Sequence, residues 1–191
     1  MLPPKGQRYL ERIGVAAARM DVLIQDLLTY SRLSRAELRL EPLGLSGVVR
    51  EACRQLQAAI EESRANVEIA PLPKVSGHRA TLVQIFANLF SNSLKFVSPG
   101  ERPLIRVSAE PRGSLVRIWI ADNGIGIEPE HQERIFEVFQ RLHGLETYPG
   151  TGIGLAIVRR GAERLGGAAG VESERGRGSR FWVDLKPAED N

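Results

Sequence analysis

Cysteine is almost absent. Cys53 stands alone among 191 residues, so no disulfide can close within the chain and no cysteine-based zinc cluster can form. It falls in an apolar-periodic helix, which reads as a core thiol, and a reducing cytoplasm fits this usage. Long apolar runs are also lacking. The stretch Leu82 to Phe90 is interrupted by polar residues and is far shorter than the roughly 20 residues a bilayer crossing needs. No basic segment at the N-terminus leads into an apolar core and a small-residue cleavage site, so no secretory leader and no direct membrane contact are expected. Neither sign of charge dominates: 26 Lys and Arg face 23 Asp and Glu, a net charge of +3. The one dense basic stretch, Arg175 to Arg180, reads as a glycine turn between strands, and no nucleic-acid partner is expected. What is present is ordinary for a soluble globular protein, with 42% hydrophobic and 26% charged residues in a length that suits one main domain and a smaller appendage.

From Gln7 to Arg35 no proline interrupts a helical pattern, and Leu10, Ile13, Ala17, Met20, Ile24, Leu27 and Ser31 recur at intervals of three and four. Such a seam packs either on the chain's own domain or within a dimeric helical bundle, and its length favours the bundle. Glu37 to Leu45, with Pro42 and Gly44, breaks the pattern. Val48 to Ile60 then predicts an amphipathic helix, Val67 to Ile69 a strand, and Ala80 to Phe96 a helix with Leu82, Ile85, Phe86, Leu89, Phe90 and Leu94 on one face. Strands are expected over Leu104 to Ala109 and Leu115 to Ala121, a helix near Pro129 to Phe139, a helix over Gly154 to Leu165, and a closing hairpin from Ala169 to Glu174 and Ser179 to Lys186. This order predicts an α+β, two-layer sandwich with a mixed, mostly antiparallel sheet covered by helices on one face.

Three segments carry chemistry. In Asn88-Leu-Phe-Ser-Asn92-Ser-Leu-Lys95-Phe96, spacings of four and three put two amides and an ammonium on one helical face. That face is either a solvated stripe or a seat for magnesium and polyphosphate, since an amide oxygen is a hard ligand. In Asp122-Asn-Gly124-Ile-Gly126, the end of a strand meets residues common in ordinary turns, and the same aspartate can accept a hydrogen bond from an exocyclic amine. In Gly150-Thr-Gly152-Ile-Gly154-Leu155, a glycine loop opens a helix, where backbone amides suit phosphate. Leu155 stands where a dinucleotide fingerprint would need its third glycine, and no P-loop occurs anywhere.

In this order the three segments resemble the asparagine box and the two glycine boxes of sensor histidine kinases, within the broader family of gyrase, Hsp90, histidine kinase and MutL ATP-binding domains. Arg134-Ile-Phe-Glu-Val-Phe-Gln-Arg141 is similar to their F box, and Gln140 to His143 with Tyr148 to Gly152 looks like the phytochrome-like subgroup. The resemblance implies a Bergerat-type ATP-binding fold over residues 39–191 and, over residues 1–38, the second helix of a dimerisation hairpin. It further implies ATP and magnesium, with Asn92 ligating the metal, Asn88 assisting and Lys95 on phosphate. Asp122 would hold the adenine amine, Gly124 and Gly126 shape its pocket, and Arg141 reach the terminal phosphate. Gly150, Gly152 and Gly154 would hinge a lid whose Tyr148, Thr151 and Leu155 meet the nucleotide, and Phe136 and Phe139 would anchor that lid by packing. Where the ATP-hydrolysing branches carry a general-base glutamate, this chain has Asn88, and an amide cannot serve as a base.

The implied activity is transfer of the γ-phosphoryl group to a histidine on the first helix of the hairpin. The implied partners are a second copy, through the N-terminal helix, and a response-regulator receiver domain. The three histidines are His78, His131 and His143, none in the N-terminal helix. The acceptor is therefore expected upstream of Met1, and the chain is not expected to label itself. A serine/threonine kinase of the same fold and a non-catalytic nucleotide-binding module are the rival readings; the heptad helix speaks against the first.

Overall fold

The computed structural model describes residues 4–35, 37–142, 148 and 150–188. His143, which the resemblance to sensor histidine kinases puts in the lid, lies outside the described residues.

Helix α1, Pro4–Arg35, extends over 32 residues. Arg32 and Arg35 occupy its last turn, where cations favour the negative end of the helix dipole. The seam is open: Leu10, Ile13, Met20, Ile24 and Leu27 are between 48% and 63% exposed. Then follow β1 (Glu41–Gly44), α2 (Leu45–Gln55), α3 (Gln57–Glu62), β2 (Asn66–Ile69) and β3 (Lys74–Gly77). Helix α4 (Arg79–Lys95) precedes the hairpin of β4 (Leu104–Arg112) and β5 (Leu115–Asp122), and α5 (Gly154–Arg164) precedes the hairpin of β6 (Ala168–Ser173) and β7 (Ser179–Leu185).

The main sheet has the order β2-β4-β5-β7-β6, in which only the β2–β4 pair is parallel. Alternation along the strands explains its two faces. Ile105, Val107, Ile118, Ile120, Phe181, Val183 and Leu185 point inward, and α4 lays Leu82, Ile85, Phe86, Leu89 and Phe90 on them, so that all of these are buried. The opposite face carries Arg117 opposite Asp184 and Trp119 opposite Trp182. Arg117 Nε and Nη2 each reach Asp184 at 2.7 Å, and the guanidinium stacks 3.7 Å from the Trp182 ring. Arg117 and Asp184 are both buried there, and a paired, stacked guanidinium is the form in which a charge tolerates burial.

Several elements differ from the sequence pattern. Strands β1 and β3, four residues each, form an antiparallel pair in which Leu43 meets Val75. Pro42 alone argues for a plain break, yet proline is tolerated on an edge strand. The helix expected over Val48 to Ile60 divides at Leu56, whose N–H bonds Cys53 O at 3.1 Å. That division turns Leu56 onto the core, and α3 buries nothing. Cys53 is half-buried, and burial raises its thiol pKa. The helix expected near Pro129 to Phe139 is replaced by two single 3₁₀ turns, Pro129–His131 and Arg134–Phe136. Phe139 then takes φ 66° and donates its N–H to Gly152 O at 3.0 Å, a tertiary tie that leaves no room for another helical turn.

Candidate functional site

The ends of α4, β5 and α5 surround a cavity of about 340 Å³. Asn88, Asn92 and Lys95 reach it from α4, Asp122 and Gly126 from the end of β5, and Arg141, Tyr148, Gly150, Thr151, Gly152, Gly154 and Leu155 from the loop that opens α5. Among the nucleotide-site residues expected from the sequence, Gly124 alone is not on the wall. It lies behind the wall, where a Cβ would stand 2.5 Å from Phe96 O.

Asp122 is held by three donors. Its Oδ1 accepts from Gly124 N at 2.9 Å and Ser179 N at 3.0 Å, and its Oδ2 from Ser93 Oγ at 3.3 Å. Burial raises its pKa and outweighs these three bonds, which act in the opposite sense. The turn after it is knitted to its surroundings: Ile125 N donates to Phe96 O at 2.9 Å and Gly176 N to Ile125 O at 2.7 Å. Gly126 has φ 72°, and a Cβ there would fall 2.0 Å from Glu174 O, so no other residue fits. Asn123 closes the turn from outside, accepting from Leu104 N at 2.8 Å and donating to Arg102 O at 3.0 Å.

Across the cavity, Asn88 Oδ1 stands 3.3 Å from where a Cβ on Gly154 would lie, so the amide sits at the N-terminus of α5. Asn88 Nδ2 is buried with no hydrogen-bond partner among the described residues. A buried orphan donor costs about 1–3 kcal/mol, which a phosphate oxygen would offset. Turned over, the same amide presents an oxygen suited to magnesium, so the residues present fit a small hard cation. Lys95 Nζ lies 4.2 Å above the Phe96 ring. Burial, and then the charge of Arg141, lower its pKa to about 8. Arg141 donates to Gly150 O at 2.6 Å and Tyr148 O at 2.9 Å, and the rings of Tyr148 and Phe96 stand 5.0 Å apart.

The F-box expectation needs correction at one position. Phe136 is buried beneath the guanidinium of Arg159, at 4.3 Å, whereas Phe139 is 61% exposed and anchors nothing by packing. It ties the loop through its backbone instead. His78 caps α4, its Nδ1 accepting from Thr81 N at 3.4 Å and lying 2.9 Å from Thr81 Oγ1, and His131 Nε2 lies 3.4 Å from Glu130 Oε1.

Ser93 and Ser179 escape the sequence reading, although Ser93, beside Asn92 and facing the sheet, is open to discovery from helical periodicity. Val22 and Asp26 of α1 also line the cavity. No signal in the sequence links them to a loop more than a hundred residues away.

Residues 77–189 match the family described as histidine kinase-, DNA gyrase B- and HSP90-like ATPase. The chain is 37% identical over 177 residues to phytochrome-like protein Cph1 of Synechocystis, a match covering 93% of this chain and 24% of that protein. It is 34% identical over 197 residues to sensor histidine kinase AruS of Pseudomonas aeruginosa, covering 98% of this chain and 20% of that one. The chain thus spans about a quarter of the length of such relatives. Among solved structures, full-length ShkA in complex with AMPPNP superposes with TM-score 0.77 at 30% identity, covering 100% of this chain and 41% of that one. The mycobacterial sensor histidine kinase MprB gives TM-score 0.67 at 25% identity, covering 80% and 100%.

Proposed function

The chain belongs to the histidine kinase-, DNA gyrase B- and HSP90-like ATPase family, and from that premise we propose that it is the ATP-binding catalytic part of a two-component sensor histidine kinase. It transfers the γ-phosphoryl group of ATP to a histidine outside these residues, with residues 39–191 as the catalytic domain and residues 1–38 as one helix of the dimerisation hairpin. The observation that carries this reading is the single cavity onto which the amide and ammonium face of α4, the carboxylate of Asp122 and the glycine loop all open.

Each wall has a task. A carboxylate offers about four acceptor sites; Gly124, Ser179 and Ser93 use three at Asp122, and the fourth takes the exocyclic amine of adenine. Tyr148 and Leu155 flank the nucleotide, and Gly126, packed closely against Glu174, shapes the pocket for the base. Asn92, with Asn88 assisting, holds magnesium, which supplies charge neutralisation at the phosphates. Lys95 binds a phosphate oxygen, and Arg141 moves from the loop carbonyls to the terminal phosphate. Gly150, Gly152 and Gly154 hinge the loop that carries Thr151. Phosphoryl transfer needs positioning and charge stabilisation more than covalent work from the protein, and these residues provide both. The acceptor imidazole forms the new N–P bond as the bond to the β-phosphate oxygen breaks.

His78 and His131 are poor acceptors, because one caps α4 and the other stands beside Glu130. A second copy docked on α1 and a receiver domain are the proposed partners. Incubation with γ-labelled ATP and a separate helical peptide bearing the acceptor histidine tests the reading. Acid-labile label is expected on the peptide and not on this chain. Binding of ATP with the peptide left unlabelled would instead favour a non-catalytic nucleotide-binding module.

A further inference from the structure

The cavity is not walled by the catalytic fold alone. Val22 and Asp26, one turn apart on α1, face it, and Asp26 Oδ2 accepts a hydrogen bond of 2.5 Å from Thr151 Oγ1 in the glycine loop. Thr151 Oγ1 accepts in turn from Ile153 N at 3.3 Å, immediately before α5. Further along α1, Ser34 O accepts from Arg164 Nη1 at 3.4 Å, in the last turn of α5. Helix α1 is therefore seated on both the loop that opens α5 and the turn that ends it. At 3.6 residues per turn, Val22 and Asp26 lie about 200° from Met20 and Ile24. The apolar seam points away, and a partner helix can cover it while Asp26 remains in the loop.

Charge decides what this contact does. A triphosphate brings several negative charges to a cavity whose cations, among the described residues, are Lys95 and Arg141, and Asp26 adds a carboxylate to the same wall. The loop is gripped from two sides, by Asp26 at Thr151 and by Arg141 at Gly150 and Tyr148. We infer that Asp26 is an electrostatic latch: α1, seated against Thr151, holds the glycine loop and opposes entry of a nucleoside triphosphate, so nucleotide binding and release of α1 are coupled. This rests on the cavity being the ATP site. Coupling is reciprocal, so a nucleotide that loosens α1 binds more tightly by the same factor once α1 has left.

Asp26→Asn isolates the charge, because its amide oxygen can still accept from Thr151. Calorimetry on the whole chain and this variant, with Mg-ATP, Mg-ADP and adenosine, tests the latch. The variant is expected to bind ATP about fivefold more tightly or better, at the low end of ordinary coupling. ADP should gain less, adenosine nothing, and the gain should shrink at high salt. An unchanged melting temperature shows that the variant is folded. Equal or weaker ATP binding in Asp26→Asn, or an equal gain for adenosine, overturns the latch while leaving the ATP site intact. A parent chain that binds neither ATP nor ADP overturns both readings.

Discussion

Lys95 and Asp122 are tuned in opposite senses at one cavity, and each gives a measurable outcome. The pKa of Lys95 falls from 10.5 to about 8, first through burial and then through Arg141. The folded chain therefore gives up a proton that the unfolded chain keeps between those values, and stability rises with pH across that window. Nucleotide binding runs the other way. Phosphate favours the charged amine, so affinity should fall as pH rises above about 8, and binding at such pH should take up a proton. Calorimetry in buffers of different ionisation heat will register the uptake, and Lys95→Met should abolish it. Asp122→Asn keeps an oxygen for the Gly124 and Ser179 N–H groups but loses the charged acceptor for the adenine amine. Hydrogen bonds to charged groups contribute about 1.5–3 kcal/mol, so ATP affinity should fall roughly 10- to 100-fold; a titration showing unchanged affinity would refute the adenine contact.

Among the elements, α4 does two jobs at once, with Asn88, Asn92 and Lys95 on the cavity and Phe86 on the sheet. Phe86 is fully buried, its ring 6.1 Å from that of Phe90. Phe86→Ala should cost about 3–5 kcal/mol by the usual penalty for emptying an aromatic core site. Urea denaturation should show a lower midpoint with little change in slope. Helix α4 is legible in the residue pattern because both of its periodicities are long and regular, and β5 and β7 because their inward residues alternate cleanly. Strands β1 and β3 are not, since four residues carry too little pattern and the pairing of Leu43 with Val75 spans two helices and a strand. The Pro129 to Phe139 helix fails because the tie from Phe139 N to Gly152 O is a tertiary demand that local propensity does not encode. The three motifs converge as expected, yet Ser93 and the backbone of Ser179, which orient Asp122, carry no motif of their own. Asp26 is invisible for the same reason: a contact between α1 and the glycine loop leaves no periodic trace.

At the scale of the whole molecule, α1 offers one face to the catalytic fold and leaves another open. The open seam, with Ile13 at 63% and Ile24 at 55% exposure, should drive self-association, because apolar stripes of this length are seldom left in water. Sedimentation should show concentration-dependent dimers, and the double variant Ile13→Lys, Ile24→Lys should remain monomeric; a parent chain that is monomeric at high concentration would sink the bundle reading. The sheet divides the molecule a second way, with the cavity and α4 on one side and the stacked Arg117, Trp119, Trp182 and Asp184 on the other. The chain has only two tryptophans, and they are direct cross-strand partners on that far side. Tryptophan emission, excited at wavelengths that tyrosine does not absorb, is therefore a signal from a single spot, shared by two indoles beside a guanidinium. A change in that emission on adding nucleotide would mean that the β5–β7 pair itself had shifted, because neither fluorophore lines the cavity.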